Sequence, residues 1–433
     1  MKPLLLRSRL VQKGFSLVEL MVGVALTMVI AVALLTLMTN VSRNNSEMMR
    51  TNSVIENGRF TLQLLETDIS QGGFWAGYVP KYDDITITTV APTDFPTAVP
   101  DPCPIESGNW QQPAAWSADY KNQLVTIPIS VYPVGSDGIS PVCAGTSSLQ
   151  GPLYGTTSNP VVQPYTDVIV VRHAAPCVAS STATDEDCKD TSGNVFFQNG
   201  RCTNAFVLSA TAADFTLQKG DCATTADKYR FVSTIYWVRK YFATAGDGIP
   251  TLVRTRFQTY DDSGTTKVKH TGTETLVDGI EALRVQLGVD NVSKPTTSGG
   301  AGNALTAAMF TVVPTFQTTS NTYTPTNRGD GNADSYVTCS SGTVCSTLFN
   351  VANTVSVKLF VLARAQTTTP SFTDSKYYCL SGTCSPSSTP SCASPGDKLT
   401  VYGPYCDGYK RHTYAQTVRM MNISMRREVP ASW

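Results

Sequence analysis

The chain has 433 residues, with 33 Lys and Arg, 33 Asp and Glu and only three His. This length allows one large domain or two ordinary ones, and the balanced charge gives no indication of DNA or another polyanion as the main partner. Charged residues make up only 15% of the chain, whereas Thr, Ser, Gly, Asn and Pro are plentiful. This profile is typical of β-rich extracytoplasmic proteins.

The N-terminus combines a basic leader with a long apolar segment. Residues 1–14 contain four basic residues and no acidic one, and residues 15–38 are almost entirely apolar. A helix of 24 residues is about 36 Å long, enough to cross a bilayer. The basic leader predicts a cytoplasmic N-terminus and export of the remainder. The apolar run is longer than that of an ordinary signal peptide, and no A-x-A cleavage site follows it.

One carboxylate, Glu19, lies inside the apolar segment. An unpaired acid at such a depth costs roughly 2–3 kcal/mol on insertion scales. We therefore expect Glu19 to have a positively charged partner.

The helix is predicted to continue beyond the membrane as an amphipathic segment over residues 39–71. Mostly apolar residues recur three and four positions apart, which predicts a helical face suited to packing on a sheet. These positions are 48, 51, 55, 58, 62, 65 and 69. The sequence Gln71-Gly72-Gly73 predicts the end of the helix.

Residues 72–433 are predicted to form a β-rich head. The candidate strands are Ile85–Val90, Leu124–Val131, Asp167–His173, Phe206–Ser209, Arg230–Phe242, Leu252–Thr259, Leu283–Val289, Thr354–Ala363 and Thr417–Met425. Because strands do not alternate regularly with helices, a parallel sheet is disfavoured, and the expected fold class is α+β with a mainly antiparallel sheet. Two stretches, 136–227 and 291–334, are predicted as loop-rich insertions.

Twelve cysteines, an even number, all follow the apolar segment. They are Cys103, Cys143, Cys177, Cys188, Cys202, Cys222, Cys339, Cys345, Cys379, Cys384, Cys392 and Cys406. Without a C-x-x-C pair or suitably spaced His, disulfides in an oxidising compartment are favoured over zinc. The pairing cannot be deduced from the sequence, although Cys339/Cys345 and Cys379/Cys384 are close enough along the chain to pair.

The segment from Gly14 to Glu19, Gly-Phe-Ser-Leu-Val-Glu, resembles the class III signal of type IV prepilins. The resemblance implies cleavage by a prepilin peptidase between Gly14 and Phe15, followed by N-methylation of Phe15. It also implies that Glu19 meets the new Phe15 amine of a neighbouring subunit, which would neutralise both charges in hydrocarbon. The alternative is an uncleaved signal anchor.

Further segments resemble the large minor pilins of the PilW family, among them Glu56–Phe60, Leu276–Glu281 and Thr417–Asn422. The resemblance implies a pilin-like fold and a structural subunit, not an enzyme, that helps to initiate pilus assembly and is incorporated near the tip. No proline occurs from Phe15 to Val79, whereas major pilins usually have one, which argues against a major subunit.

The implied partners are other minor pilins and the major pilin, the prepilin peptidase, the assembly platform, a separate ATPase, a tip adhesin and inner-membrane lipid. The implied location is a single-pass inner-membrane protein with a periplasmic head, later incorporated in an extracellular pilus. Two alternatives remain, a type II secretion pseudopilin and a membrane-anchored adhesin or binding protein that never polymerises.

Other motifs give weaker indications. Asp330, Asn332 and Asp334 offer alternating oxygen ligands as at the start of a calcium loop, but an EF-hand would need a glycine and a glutamate where this chain has Ser335 and Ser341. A polar turn is the alternative. Arg328-Gly329-Asp330 spells an integrin-type tripeptide. No Walker, G-x-S-x-G or H-E-x-x-H motif indicates catalysis or a cofactor.

A C-terminal group of arginines, Arg419, Arg426 and Arg427, is a candidate basic edge for nucleic acid. Loss of the leader would leave 29 basic and 33 acidic residues. This balance argues against a dedicated nucleic-acid site.

Overall fold

The computed structural model describes residues 14–87, 89–102, 113–136, 138, 161–191, 193–262, 264–294, 302–319, 322–339, 347–382, 384 and 389–428. The chain divides into two compact units, Met1–Asn52 and Ser53–Trp433.

One helix, α1 (Leu17–Gln71), includes both the predicted membrane segment and the predicted amphipathic segment. It is the one described helix long and apolar enough to cross a membrane. No proline interrupts its hydrogen bonds, which explains why two predicted segments form one helix. The helix ends where predicted, because Gly73 adopts a positive φ of 75° that favours glycine.

The described residues contain three further α-helices and fifteen strands. The helices are α2 (Ala118–Thr126), α3 (Leu348–Ala352) and α4 (Met421–Arg427). The strands are β1 (Ile129–Pro133), β2 (Asp167–Ala174), β3 (Phe196–Gly200), β4 (Ala205–Ser209), β5 (Lys228–Arg239), β6 (Thr251–Asp262), β7 (Thr265–Asp278), β8 (Ile280–Val289), β9 (Phe316–Thr319), β10 (Thr322–Pro325), β11 (Ser335–Thr338), β12 (Thr354–Arg364), β13 (Tyr378–Cys379), β14 (Val401–Tyr402) and β15 (Arg411–Arg419).

Two antiparallel sheets form the frame of the head. The first has seven strands in the order β1-β2-β5-β3-β4, with β6 joined to β5 and β7 joined to β6. The second has four strands in the order β11-β8-β12-β15. Every strand ladder in the described residues is antiparallel, as the sequence predicted.

The core of the head lies between the sheets and the last five turns of α1. Val54, Leu62, Leu65 and Ile69 of α1 pack with buried residues of β1, β2, β5, β6, β8, β12 and β15 in one hydrophobic cluster. The predicted stripe is confirmed from residue 58 onward. It is wrong at Ile55, which is 39% exposed, because the neighbouring Val54 takes the buried position.

Several predicted strands differ from the structure. Residues 85–87, 89 and 90 form turns and bends instead of a strand. The predicted strand 124–131 is half helix, because Ser117 caps α2 by accepting a hydrogen bond from the N–H of Tyr120. The predicted strand 417–425 ends at Arg419 and continues as α4.

The predicted insertion 136–227 contains β2, β3 and β4, so it supplies three strands of the larger sheet. By contrast, the described residues 365–382, 384 and 389–410 between β12 and β15 belong to a long excursion that the sequence did not predict. It covers the second face of β12, where Phe360 and Leu362 pack with Leu380 and Tyr402. This cover explains why β12 is buried on both faces instead of alternating between core and solvent.

Candidate assembly site

The predicted processing site, between Gly14 and Phe15, lies just before the start of α1. Phe15 is 82% exposed, and the first helical hydrogen bond joins the N–H of Leu20 to the carbonyl of Ser16. The Glu19 carboxylate accepts a hydrogen bond of 3.4 Å from the N–H of Ser16. This contact is half of a capping box, which the sequence S-x-x-E could have indicated and which the sequence analysis missed.

Glu19 therefore has a local role in addition to the predicted one. A carboxylate in the first turn also interacts favourably with the helix dipole. Among the described residues, Glu19 has no cationic partner, so its pairing with an amine of another subunit stays a prediction.

The apolar surface around Glu19 is continuous. Large apolar side chains from Phe15 to Met38 are between 53% and 82% exposed, which makes the segment unstable in water without lipid or protein around it. Thr27 and Thr36 donate their hydroxyl protons to main-chain carbonyls one turn earlier, at 2.8–3.0 Å. Their polar atoms are thus satisfied within the helix, as a lipid-facing segment requires.

Within the head unit, polar contacts fix α1 to the strands. Asp68 of α1 accepts a hydrogen bond from His173 of β2 at 2.9 Å. Burial opposes ionisation of Asp68, but the hydrogen bond and the charge of His173 outweigh it, so the pKa of Asp68 is lowered. His173 lies near the end of β2, as predicted, while His412 is exposed on β15.

A close helix–strand contact lies nearer the start of the head. The ring of Tyr414 in β15 lies against Gly58 of α1, where a Cβ atom would come within 2.1 Å of the ring. The Tyr414 hydroxyl donates to the carbonyl of Val54 at 3.2 Å. Gly58 is thus required for the close approach of β15 to the helix.

The three arginines of the candidate basic edge, Arg419, Arg426 and Arg427, do not form one. Arg427 is buried and donates from Nε to Asp83 at 2.6 Å and from Nη1 to Asp290 at 3.3 Å. Arg426 lies 3.6 Å from Asp83, and Arg419 pairs with Glu428. These guanidinium groups are used in pairs within the chain, two of them in the interior, so they form no basic edge.

The integrin-type reading of Arg328-Gly329-Asp330 is also wrong. The Arg328 side chain is 1% exposed and donates to the carbonyls of Tyr82, Met309 and Val312. A receptor could not reach this arginine without unfolding the segment.

The candidate calcium ligands lie in the loop before β11. The Asp334 carboxylate accepts the N–H groups of Asn291 and Val292 at 2.9 and 2.8 Å, and Asp330 accepts the N–H of Asn332. Among the residues that the structure describes, no three His, Cys, Asp or Glu side chains are grouped as metal ligands. The contacts are those of a polar turn, and calcium binding stays a prediction.

Four disulfides have both cysteines among the described residues, Cys177–Cys188, Cys202–Cys222, Cys379–Cys384 and Cys392–Cys406. The predicted pair Cys379/Cys384 is confirmed. Cys339 is also disulfide-bonded, while Cys103, Cys143 and Cys345 lie outside the described residues. The oxidised cysteines agree with an exported head.

A long apolar N-terminal helix whose second half packs on an antiparallel, disulfide-linked head is the architecture of a type IV pilin-like protein. Residues 9–35 match the family model for the prokaryotic N-terminal methylation motif. Residues 235–422 match the family model for the type IV pilus-assembly protein W. The resemblance to the PilW family is thereby confirmed over residues 235–422, a little under half of the chain. The two matches support a type IV pilus-related pilin, a structural component and not an enzyme.

Two other comparisons add little. No curated protein sequence matches the chain. A type IV-like pilin from Thermus thermophilus is similar at 14% identity, over 61% of this chain and 82% of that chain, with a TM-score of 0.21. A similarity at this TM-score supports no further inference.

Proposed function

We propose that the chain is a minor pilin, a low-abundance subunit that helps to initiate type IV pilus assembly and is incorporated near the filament tip. A prepilin peptidase cleaves the chain between Gly14 and Phe15 in the inner membrane, and Phe15 is then N-methylated. The head is periplasmic before assembly and extracellular afterwards. The partners are the major pilin, other minor pilins, the assembly platform and its ATPase.

The observation that carries this proposal is the methylation motif at the start of a helix that runs without a break into a PilW-type head. Such a helix can leave the membrane only by exchanging lipid for other apolar helices, which is what a filament core offers. The large head and the absence of proline from α1 support a minor role over a major one.

In this proposal, Glu19 sets the axial register of the subunit. Removal of residues 1–14 frees the Phe15 amine at the membrane end of the helix, four positions from the carboxylate. A neighbouring amine then neutralises Glu19 in surroundings where an unpaired charge costs a few kcal/mol.

The test is mass spectrometry of the mature N-terminus together with the amount of this chain in sheared filaments. We expect N-methylated Phe15, and we expect Gly14→Ala to retain the leader and remove the chain from filaments. Glu19→Gln is the informative variant, because a Gln at this position can still accept the Ser16 hydrogen bond but carries no charge. Normal incorporation of Glu19→Gln would refute the charge-pairing mechanism.

Deletion of the chain separates a pilus role from a secretion role. A minor pilin predicts loss of surface pili with normal exoprotein secretion, and a pseudopilin predicts the reverse. A functional chain with its first fourteen residues still attached would contradict both and support a non-polymerising anchored protein.

A further inference from the structure

The ring of His173 lies where α1 ends against the larger sheet. A main-chain hydrogen bond of 3.1 Å joins the N–H of Gly73, just after the helix, to the carbonyl of Arg172 in β2. Beside it, the buried side chain of His173 contacts Asp68 in the last turn of the helix. The His173 ring therefore helps to hold the end of α1 on the sheet.

Both ring nitrogens of His173 face atoms that accept hydrogen bonds. Nδ1 lies 2.8 Å from the carbonyl oxygen of Ala174, and Nε2 lies 2.9 Å from Oδ1 of Asp68. A neutral imidazole has one N–H, and neither a carbonyl nor an ionised carboxylate can donate a proton. With both groups in those forms, one of the two contacts would bring two acceptors together. The pair therefore makes both hydrogen bonds only when it holds one additional proton.

The surroundings decide which group holds this proton. Burial opposes ionisation of Asp68, but the hydrogen bond and charge of His173, with smaller contributions from Tyr236 and Arg256, lower the pKa of Asp68. The carboxylate is thus the ionised member of the pair, and the additional proton belongs to His173.

Other charged or titratable groups lie on the elements packed around this pair. They are Arg230 and Tyr236 of β5, Arg254 and Arg256 of β6, Glu274 of β7, Arg426 of α4, and Asp185 and Asp187 of the loop between β2 and β3. Asp187 pairs with Arg230 and Arg256 at 3.6 and 3.2 Å. Glu274 pairs with Arg254 at 2.7 Å. Among the described residues, no carboxylate other than Asp68 forms an ion pair with His173.

We propose that the Asp68–His173 pair is a proton-dependent contact that holds the end of α1 on the sheet while His173 carries two protons and releases it as pH rises. The unfolded chain loses the imidazole proton as pH rises past about 6.5, whereas the folded pair keeps it. The contribution of the contact to stability is therefore complete below pH 6.5 and is lost above it. This inference concerns the chain by itself and does not depend on its role in a pilus.

The first test is NMR of the full mature chain in detergent with ¹⁵N-labelled histidine. The chain has three His, and the signals of His173 are those that disappear in His173→Gln. At pH 7 we expect both ring nitrogens of His173 to be protonated. Burial lowers the pKa of His270 to about 3, so this ring supplies the neutral reference in the same spectrum. A neutral His173 ring at pH 7 would overturn the proposal.

The second test is hydrogen exchange of the amides in the last turn of α1, corrected for the intrinsic rate. Their protection should fall between pH 7 and pH 9, by up to about 10-fold per pH unit. Asp68→Asn should abolish this fall, because an Asn amide can donate to Nε2 and a neutral ring then keeps both contacts. His412→Gln is the matched control at an exposed position and should leave the fall unchanged.

Constant protection in the wild type, or an undiminished fall in Asp68→Asn, would contradict the proton-dependent contact. A thermal melt at pH 7 establishes that each variant is folded. If Asp68→Asn does not fold, the NMR spectrum and the exchange of the wild type decide between the two outcomes.

Discussion

Arg427, one arginine of the candidate basic edge, is buried in ion pairs, and its removal gives a quantitative test of the head. Arg427 is 1% exposed, and its partners Asp83 and Asp290 are 2% and 0% exposed. Breaking a buried pair by removing one partner typically costs about 3–5 kcal/mol, because the remaining charges lose their compensation. We expect Arg427→Gln to destabilise the head by this amount at neutral pH.

The cost should depend on pH in a defined direction. Burial raises the pKa of Asp290 to about 6, although Arg427 opposes this rise. Without Arg427 the pKa of Asp290 rises further, so the folded state of the variant binds a proton that the unfolded chain does not. The cost of Arg427→Gln relative to the wild type should therefore shrink as pH falls from about 8 to 6, by at most about 1.4 kcal/mol per pH unit.

The assay is urea unfolding of the full mature chain in detergent at pH 8 and pH 6, followed by fluorescence of the buried residues Trp75 and Trp237. Arg419→Gln is the matched control, because its pair with Glu428 is about 40% exposed and is worth about 0–1 kcal/mol. A change of less than 1 kcal/mol for Arg427→Gln, with weaker DNA binding, would restore the basic-edge hypothesis and refute the buried-pair reasoning.

Three further predictions concern the interior of the head. Leu65→Ala should lower the free energy of unfolding by about 2–5 kcal/mol in urea, because Leu65 is fully buried. Leu64→Ala, at a half-buried neighbouring position, should lower it clearly less. Equal losses would contradict the conclusion that the Leu65 face of α1 packs on the core. Burial lowers the pKa of His270 to about 3. As pH drops below 6.5, the unfolded chain therefore binds a proton at His270 that the folded chain does not. The free energy of unfolding should then fall by up to about 1.4 kcal/mol per pH unit. His270→Gln should flatten this dependence, and an unchanged pH profile would disprove the assignment. Gly58→Ala should lower the free energy of unfolding by about 1–3 kcal/mol, because the new methyl group collides with the Tyr414 ring; the higher helix propensity of Ala offsets part of this loss. In a double-mutant cycle, Tyr414→Ala should remove the loss.

The elements predicted correctly are those whose hydrophobic pattern is long and fits only one type of secondary structure. The apolar helix, the end at Gly73 and the buried strands β8 and β12 follow from hydrophobicity and glycine alone. Predictions failed where an apolar run was short. The sequence Leu-Val-Thr-Ile around residue 125 has strand propensity, but Ser117 caps a helix seven residues earlier and tertiary packing completes it.

The ion pairs could not be predicted from the sequence for a different reason. An arginine near a chain end is usually solvated. Whether Arg427 is buried depends on Asp83 and Asp290, which lie 344 and 137 residues away along the chain. Separations of this size leave no local signal. The same holds for Arg328, whose partners are main-chain carbonyls that any sequence supplies.

Buried acidic residues of the head pair with arginines of the same chain, whereas Glu19 does not among the described residues. This contrast supports a role for Glu19 in assembly. In the head, buried acids such as Asp167 and Glu281 meet guanidinium groups of the same chain at 2.8 and 2.5 Å. Glu19, in the most apolar segment, meets only the N–H of Ser16 among the described residues. From this contrast we expect the cation that pairs with Glu19 to lie on another molecule. We expect that cation to be the amine that cleavage after Gly14 creates, which makes proteolysis the step that turns an anchored monomer into a subunit able to pair.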